Sequence, residues 1–218
     1  MLESDCLLTF HIIINYNKNM KYMDLSKVIK GPYFSRSDLL SQGQKIFGYQ
    51  LHLWVKKGYL LKLRNGVYAF VKDRERIKGE EIAALLYQPS YLSLESALAW
   101  YGFIPEMVYA HVSVTARINR TFTNDFGTFI YRHLKAELFW GYIEIKTDYG
   151  HYLLAEPEKA LLDYLYLNLF RIRSDADFEN IRLNADMLKE RLDADKFLKY
   201  LSAFDVKRMK AWALRCLH

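Results

Sequence analysis

The dipeptide Asn65-Gly66 constrains this chain more than any other feature. It lies between two alternating runs, 59–64 (YLLKLR) and 67–71 (VYAFV). Asn-Gly in that setting favours a two-residue hairpin, because both central residues must take positive φ. What precedes the hairpin has helical spacing. Leu25, Val28 and Ile29 form a stripe over 23–29 that stops at Gly31-Pro32. Ser35 is placed to cap a second helix, with Asp38 returning the reciprocal carboxylate and Leu39 and Leu40 as apolar contacts. Ser41-Gln42-Gly43 reads as a turn, and a longer helix follows over about 44–57, ended by Gly58 in the left-handed conformation. Helix, turn, helix and two-stranded wing is the order that sets one helix into a DNA major groove.

In the longer helix, Phe47, Leu51, Trp54 and Val55 are expected to pack inward, leaving Lys45, Tyr49, His52, Leu53 and Lys56 outward. The outward face offers cations, a phenol and an imidazole to phosphates and base edges. The expected DNA-binding set is Ser35, Arg36, Gln44, Lys45, Tyr49, His52 and Lys56, with Lys62, Arg64 and Asn65 on the wing. Charge agrees with this reading. Residues 1–78 hold fourteen Lys/Arg and six Asp/Glu, a balance of +8, whereas the remainder balances at −2. Lys and Arg displace counterions condensed on phosphates. Two other readings of a basic module stay open: a solvated basic face, or a winged helix that contacts protein instead of nucleic acid.

The sequence predicts an α+β chain: an N-terminal winged helix-turn-helix domain, 20–72, then a larger domain, 79–218, with a mainly antiparallel sheet flanked by helices. The charge run KDRERIK, 72–78, supplies the linker, assigned to 73–78. Residues 1–19 read as an N-terminal extension or as an over-called start ahead of Met20 or Met23. Short helices are expected over 80–87 and 93–101, separated by Pro89. Strands follow, marked by Val112/Val114, Phe129/Tyr131, Ile143/Ile145 and Tyr152/Leu154, with Gly127, Gly141 and Gly150 between them. Pro157 opens a strong helix over 158–170. A helical tail has Leu188, Leu192, Phe197, Leu198 and Leu201 as its expected core.

Three stretches in this second part, YLSLESALAWYGFIPE (91–106), RTFTNDFGTFIYRHLKAELFWGY (120–142) and LLAEPEKALLDYLYL (153–167), together with LRNGVYAF (63–70), resemble the AbiEi family of bacterial type IV antitoxins. The resemblance spans about residues 21–170. It implies a two-domain antitoxin whose N-terminal domain binds repeated half-sites in its own promoter and represses the operon. It also implies that the C-terminal domain counters a nucleotidyltransferase-like toxin. The family is thought to act without a stable toxin complex, so direct contact is left open. A transcriptional regulator unrelated to a toxin is the other regulatory reading.

Enzymatic and metal-binding patterns are weak by comparison, and no cofactor and no enzymatic activity are expected. Six histidines and two cysteines show no zinc-ligand spacing, and His111, His133 and His151 read as strand-face residues. Neither a phosphate-binding glycine loop nor a Gly-x-Ser-x-Gly elbow occurs. The one catalytic alternative is a metal-dependent nuclease using Asp125, Glu144 and Lys146. Its bland counterpart is a solvated strand with a cross-strand ion pair. Glu156 and Glu158 bracket a helix start, where the macrodipole favours acids, and Lys159 and Asp163 form an i,i+4 pair; together they read as a structural joint. Arg117, Arg120, Arg132 and Lys135 make a second basic group, either scattered surface charge or an auxiliary phosphate-contacting surface. Cys6 and Cys216, far apart in sequence, suggest a reducing cytoplasm. The apolar run 7–14 is too short to span a bilayer, which takes about 20 residues.

Overall fold

The computed structural model describes residues 20–105 and 109–217, so the readings made for residues 1–19 lie outside the described residues. The chain divides into two compact units, Met1–Ile77 and Lys78–His218.

In the first unit the element order is α1 (Tyr22–Val28), β1 (Tyr33–Ser35), α2 (Arg36–Ser41), α3 (Gly48–Lys56), β2 (Leu60–Arg64) and β3 (Val67–Phe70). The Asn65-Gly66 hairpin forms, but with Gly66 alone at positive φ (+81°) and Asn65 outside that region, so it is not the two-residue turn with both central φ positive. Strand β1 completes an antiparallel sheet in the order β1-β3-β2. Three residues are too few to display alternation, so β1 left no signal in the sequence. The Ser35 cap forms in both directions: Asp38 N donates to Ser35 Oγ (3.1 Å) and Ser35 N donates to Asp38 Oδ2 (3.2 Å). Leu25, Phe34, Leu39, Ile46, Leu51, Trp54, Leu60 and Phe70 make the core. Leu40 and Val28 lie outside it, both exposed. The segment 73–78, expected as a linker, takes in part of a 3-10 helix over Val71–Arg76 and the buried Ile77, and the boundary between the units falls within it.

The second unit runs α4 (Gly79–Leu86), β4 (Ser90–Leu92), α5 (Leu94–Trp100), β5 (Ala110–Thr115), β6 (Arg120–Asn124), β7 (Gly127–His133), β8 (Tyr142–Lys146), β9 (His151–Ala155) and α6 (Pro157–Asn168). Four helices end it: α7 (Asp175–Glu179), α8 (Ala185–Arg191), α9 (Ala194–Ser202) and α10 (Lys207–Arg215). The six-stranded sheet has the order β6-β7-β5-β4-β9-β8. The fold class is α+β, and the sheet is mixed with antiparallel pairs in the majority. The pairs β5–β7 and β4–β9 are parallel; β4–β5, β6–β7 and β8–β9 are antiparallel. The β4–β9 pair comes from β4, a three-residue strand between two helices that inserts between β5 and β9 and that the sequence pattern did not show. The polar edge strand β6 also escaped the apolar pattern.

Helices cover both faces of this sheet, as adjacent residues of β7 show. Tyr131 donates its hydroxyl to the Ala83 carbonyl of α4 (2.6 Å), while Arg132 donates to Asn168 Oδ1 (3.0 Å) and the Leu167 carbonyl (2.9 Å) of α6. Alternation along a strand sends neighbours to opposite layers. Helices α9 and α10 pack on the outside of α6. In the tail, Leu188, Phe197 and Leu201 are buried as expected, whereas Leu198 is exposed and Leu192 half-buried. No helix among the described residues is long and apolar enough to cross a membrane.

Candidate nucleic-acid interface

Helix α3 starts later than its periodicity suggests, and the start decides which side chains face out. Gln50, buried, accepts a hydrogen bond from Phe47 N at Oε1 (3.1 Å) and donates from Nε2 to the Met20 carbonyl (2.8 Å). This bond closes the first turn at Gly48, so Gln44 and Lys45 precede the helix. The inward residues are Gln50, Leu51 and Trp54, with Ile46 buried just before the helix. Phe47 was expected inside and is instead exposed, its ring stacked on Tyr49 (centroids 5.8 Å apart) with Lys45 Nζ 5.3 Å from its centroid. Val55 is half-buried.

The opposite face carries Tyr49, His52, Leu53 and Lys56, all exposed and spaced i, i+3, i+4, i+7. Tyr49 is 60% exposed, its ring stacked on Phe47. Lys57, which the sequence reading passed over, is exposed at the helix end. Lys62, Arg64 and Asn65 are exposed on the hairpin, where the register shifts between Lys62 and Arg64. Arg36 N donates to the Gly66 carbonyl at 2.7 Å. That bond ties the start of α2 to the hairpin turn, so the exposed Arg36 side chain leaves from beside Asn65. Two members of the expected set fare differently. Gln44 is half-buried. Ser35 is buried, its hydroxyl engaged with Asp38 N and Ser37 Oγ (2.7 Å), and serves as a cap.

The other sequence-selected groups do not make a second surface. Arg117 donates to the Gln88 carbonyl (3.0 Å) and lies 4.6 Å from the Tyr87 ring centroid. Arg120 stands opposite Tyr131 in register and shares its face, whereas Arg132 turns to the other layer. Lys135 is exposed beyond β7. Arg120 and Arg132, the two on strands, lie on opposite faces of the sheet. The nuclease triad is likewise dispersed. Asp125 is in the turn between β6 and β7, at one sheet edge, and Glu144 and Lys146 are on β8, at the other. Five strand spacings separate β6 from β8, roughly 20 Å or more. Glu144 instead lies 3.6 Å from His151 Nδ1 on the neighbouring strand. Among the described residues, no group of three or more His, Cys, Asp or Glu is placed to hold a metal ion.

The i,i+4 pair Lys159–Asp163, expected as part of a structural joint, is fully buried. Asp163 Oδ2 accepts from the Tyr91 hydroxyl (2.8 Å) and the Ser93 hydroxyl (2.9 Å), and Lys159 Nζ donates to the Tyr91 oxygen (2.8 Å). Rings of Tyr91, Trp140 and Phe204 surround Nζ at 5.1–5.5 Å. Gly141, at φ +75°, passes over the stem, where a Cβ would sit 3.1 Å from Lys159 Cγ. Burial pushes the lysine pKa down and the carboxyl pKa up, each opposed by the partner's charge. Next to Ser93, Leu94 holds φ +52°, a conformation costing about 1–2 kcal/mol for a side chain of its size. These groups hold strands and helix together and present no exposed atom to a substrate. Glu156 and Glu158 extend the joint to α9: Lys196 Nζ meets Glu156 Oε1 (2.9 Å) and Glu158 Oε2 (3.2 Å), and the Tyr200 hydroxyl donates to Glu156 Oε2 (2.6 Å).

The three stretches that carry the AbiEi resemblance converge on this cluster. The first supplies Tyr91 and Ser93, the second Trp140 and Gly141, the third Lys159 and Asp163. No protein-family model matches the chain, and no curated protein sequence matches it.

Proposed function

We propose that the chain is a DNA-binding antitoxin whose first unit is a winged helix that reads repeated half-sites in its own promoter, with α3 as recognition helix and the β2–β3 hairpin as wing. The observation that carries this reading is the exposed stripe Tyr49, His52, Leu53 and Lys56, directly opposite the buried Gln50, Leu51 and Trp54. Lys45, Arg36, Lys62, Arg64 and Asn65 supply phosphate and groove contacts around it. Tyr49 and Leu53 offer apolar contact to thymine methyls, and His52 a hydrogen bond to a base edge. Ser35 acts as the cap of α2 rather than as a contact.

The antitoxic half of the proposal rests on the motif series in the second unit. In it, the second unit opposes a nucleotidyltransferase-like toxin in the cytoplasm, with no cofactor and no catalysis. The test is a mobility shift of the full chain on the DNA upstream of its own gene, paired with growth rescue when a neighbouring nucleotidyltransferase-like gene is induced. Binding with rescue is expected. Binding without rescue would leave a transcriptional regulator unrelated to a toxin; no binding would leave a protein-interaction module.

A further inference from the structure

The second unit contains a cleft that involves neither the proposed DNA contacts nor the buried ion pair. Its volume is about 440 Å³, within the range of small-molecule sites. Leu92 of β4, Leu154 of β9 and Ala99 of α5 give it an apolar floor. Around that floor stand Glu80 in the first turn of α4, His111 on β5 and Trp100 at the end of α5.

Each of these three is positioned by its surroundings. His111 stacks on Phe129, with ring planes 15° apart and centroids 5.3 Å apart. Its other side lies against Gly79, where a Cβ would approach Nε2 to 2.0 Å. Only glycine at 79 lets the imidazole take this place. Burial lowers the imidazole pKa, with Glu80 opposing the shift, so the ring is neutral at pH 7. Among the described residues Glu80 makes no hydrogen bond or ion pair. Trp100 leaves half its surface uncovered, and no Lys or Arg is among the described lining residues. The described lining thus has one carboxylate, one imidazole whose pKa burial lowers and a half-exposed indole.

We propose that this cleft binds a small organic cation with a flat apolar body, its charged end on Glu80 and its body between Trp100 and the Leu92/Leu154 floor. A carboxylate without a partner gains most from a donor that is itself charged, and a planar amidinium gives it two parallel N–H groups. The indole face attracts the same charge. With no Lys or Arg among the described lining residues, an anionic ligand has no cationic side chain there to pair with. The inference is independent of DNA binding.

The probes are benzamidine and its uncharged isostere benzamide, titrated into the full chain. The readout is the indole N–H resonance of Trp100, assigned by its disappearance in Trp100→Phe. Benzamidine is expected to shift that resonance saturably and to bind about tenfold more tightly than benzamide, as a charge-assisted pair requires. Glu80→Gln is expected to abolish that preference while leaving benzamide binding unchanged. The absence of a saturable shift, equal affinity for the two probes, or a preference that survives in Glu80→Gln would overturn the assignment. Should Glu80→Gln fail to fold, the comparison of the two probes on the parent chain decides alone.

Discussion

In the first unit, Arg36, Lys45, Lys56, Lys62 and Arg64 all face water, whereas the second unit encloses Lys159 and Asp163 completely. The exposed cations contribute little to folding, since surface charges interact weakly through water. The enclosed pair is tied to Tyr91 and Ser93 and roofed by aromatic rings, so each charge depends on the other to remain buried. Charge is exposed in one unit and enclosed in the other. The stretches 91–106, 120–142 and 153–167 of the second unit together build its buried cluster.

Removing one partner of the buried pair tests this contrast most severely. Lys159→Met leaves Asp163 uncompensated and is expected to cost about 3–5 kcal/mol, read as a lowered midpoint in denaturant melts. Adding Asp163→Leu should restore much of that loss; a double variant no better than the single one would show that the charges are not the cause. Gly141→Ala is next. It places a Cβ at positive φ over the Lys159 stem and should cost about 1–2 kcal/mol by the left-handed penalty. Ser35→Ala removes a cap without touching an exposed cation and should cost about 1 kcal/mol. A simultaneous fall in the salt dependence of DNA binding would return Ser35 to the contact set.

The smallest effect is a pH dependence. Burial works to raise the Glu156 carboxyl pKa, but hydrogen bonds from Tyr200 and Lys196 outweigh it and leave the folded value depressed. Its contribution to stability is therefore present above the unfolded value of about 4.5 and is lost as pH falls through the folded value. Tyr200→Phe weakens the depression. The stability gap between parent and variant should accordingly be largest near neutrality and shrink in acid; a gap that widens below pH 4.5 would have the sign wrong.

Local chemistry was legible in the sequence wherever neighbouring residues decide conformation. Asn65-Gly66 formed its hairpin, Ser35 and Asp38 their reciprocal cap, and Pro157 its helix. Elements whose existence depends on distant partners were not legible. Strands β1 and β4 are three residues long and exist because β3 in the first case, and β5 and β9 in the second, receive them. The inward place of Phe47 was lost because the Gln50 bonds, one of them to Met20, set the start of α3. The spacing of Lys159 and Asp163 was visible; their burial was not, since Tyr91, Trp140 and Phe204 come from elsewhere in the chain. In the candidate interface, Tyr49, His52 and Lys56 are exposed as their spacing predicts, whereas Ser35 is buried and Gln44 half-buried.

The most direct measurement of the central claim is the salt dependence of operator binding by the full chain and by its Lys45→Ala/Lys56→Ala variant. With both lysines on phosphates, the logarithmic slope should fall by about one unit per lysine, with melting unchanged within about 0.5 kcal/mol. A slope equal to that of the parent would contradict the account, since α3 would then not be the helix that meets the DNA.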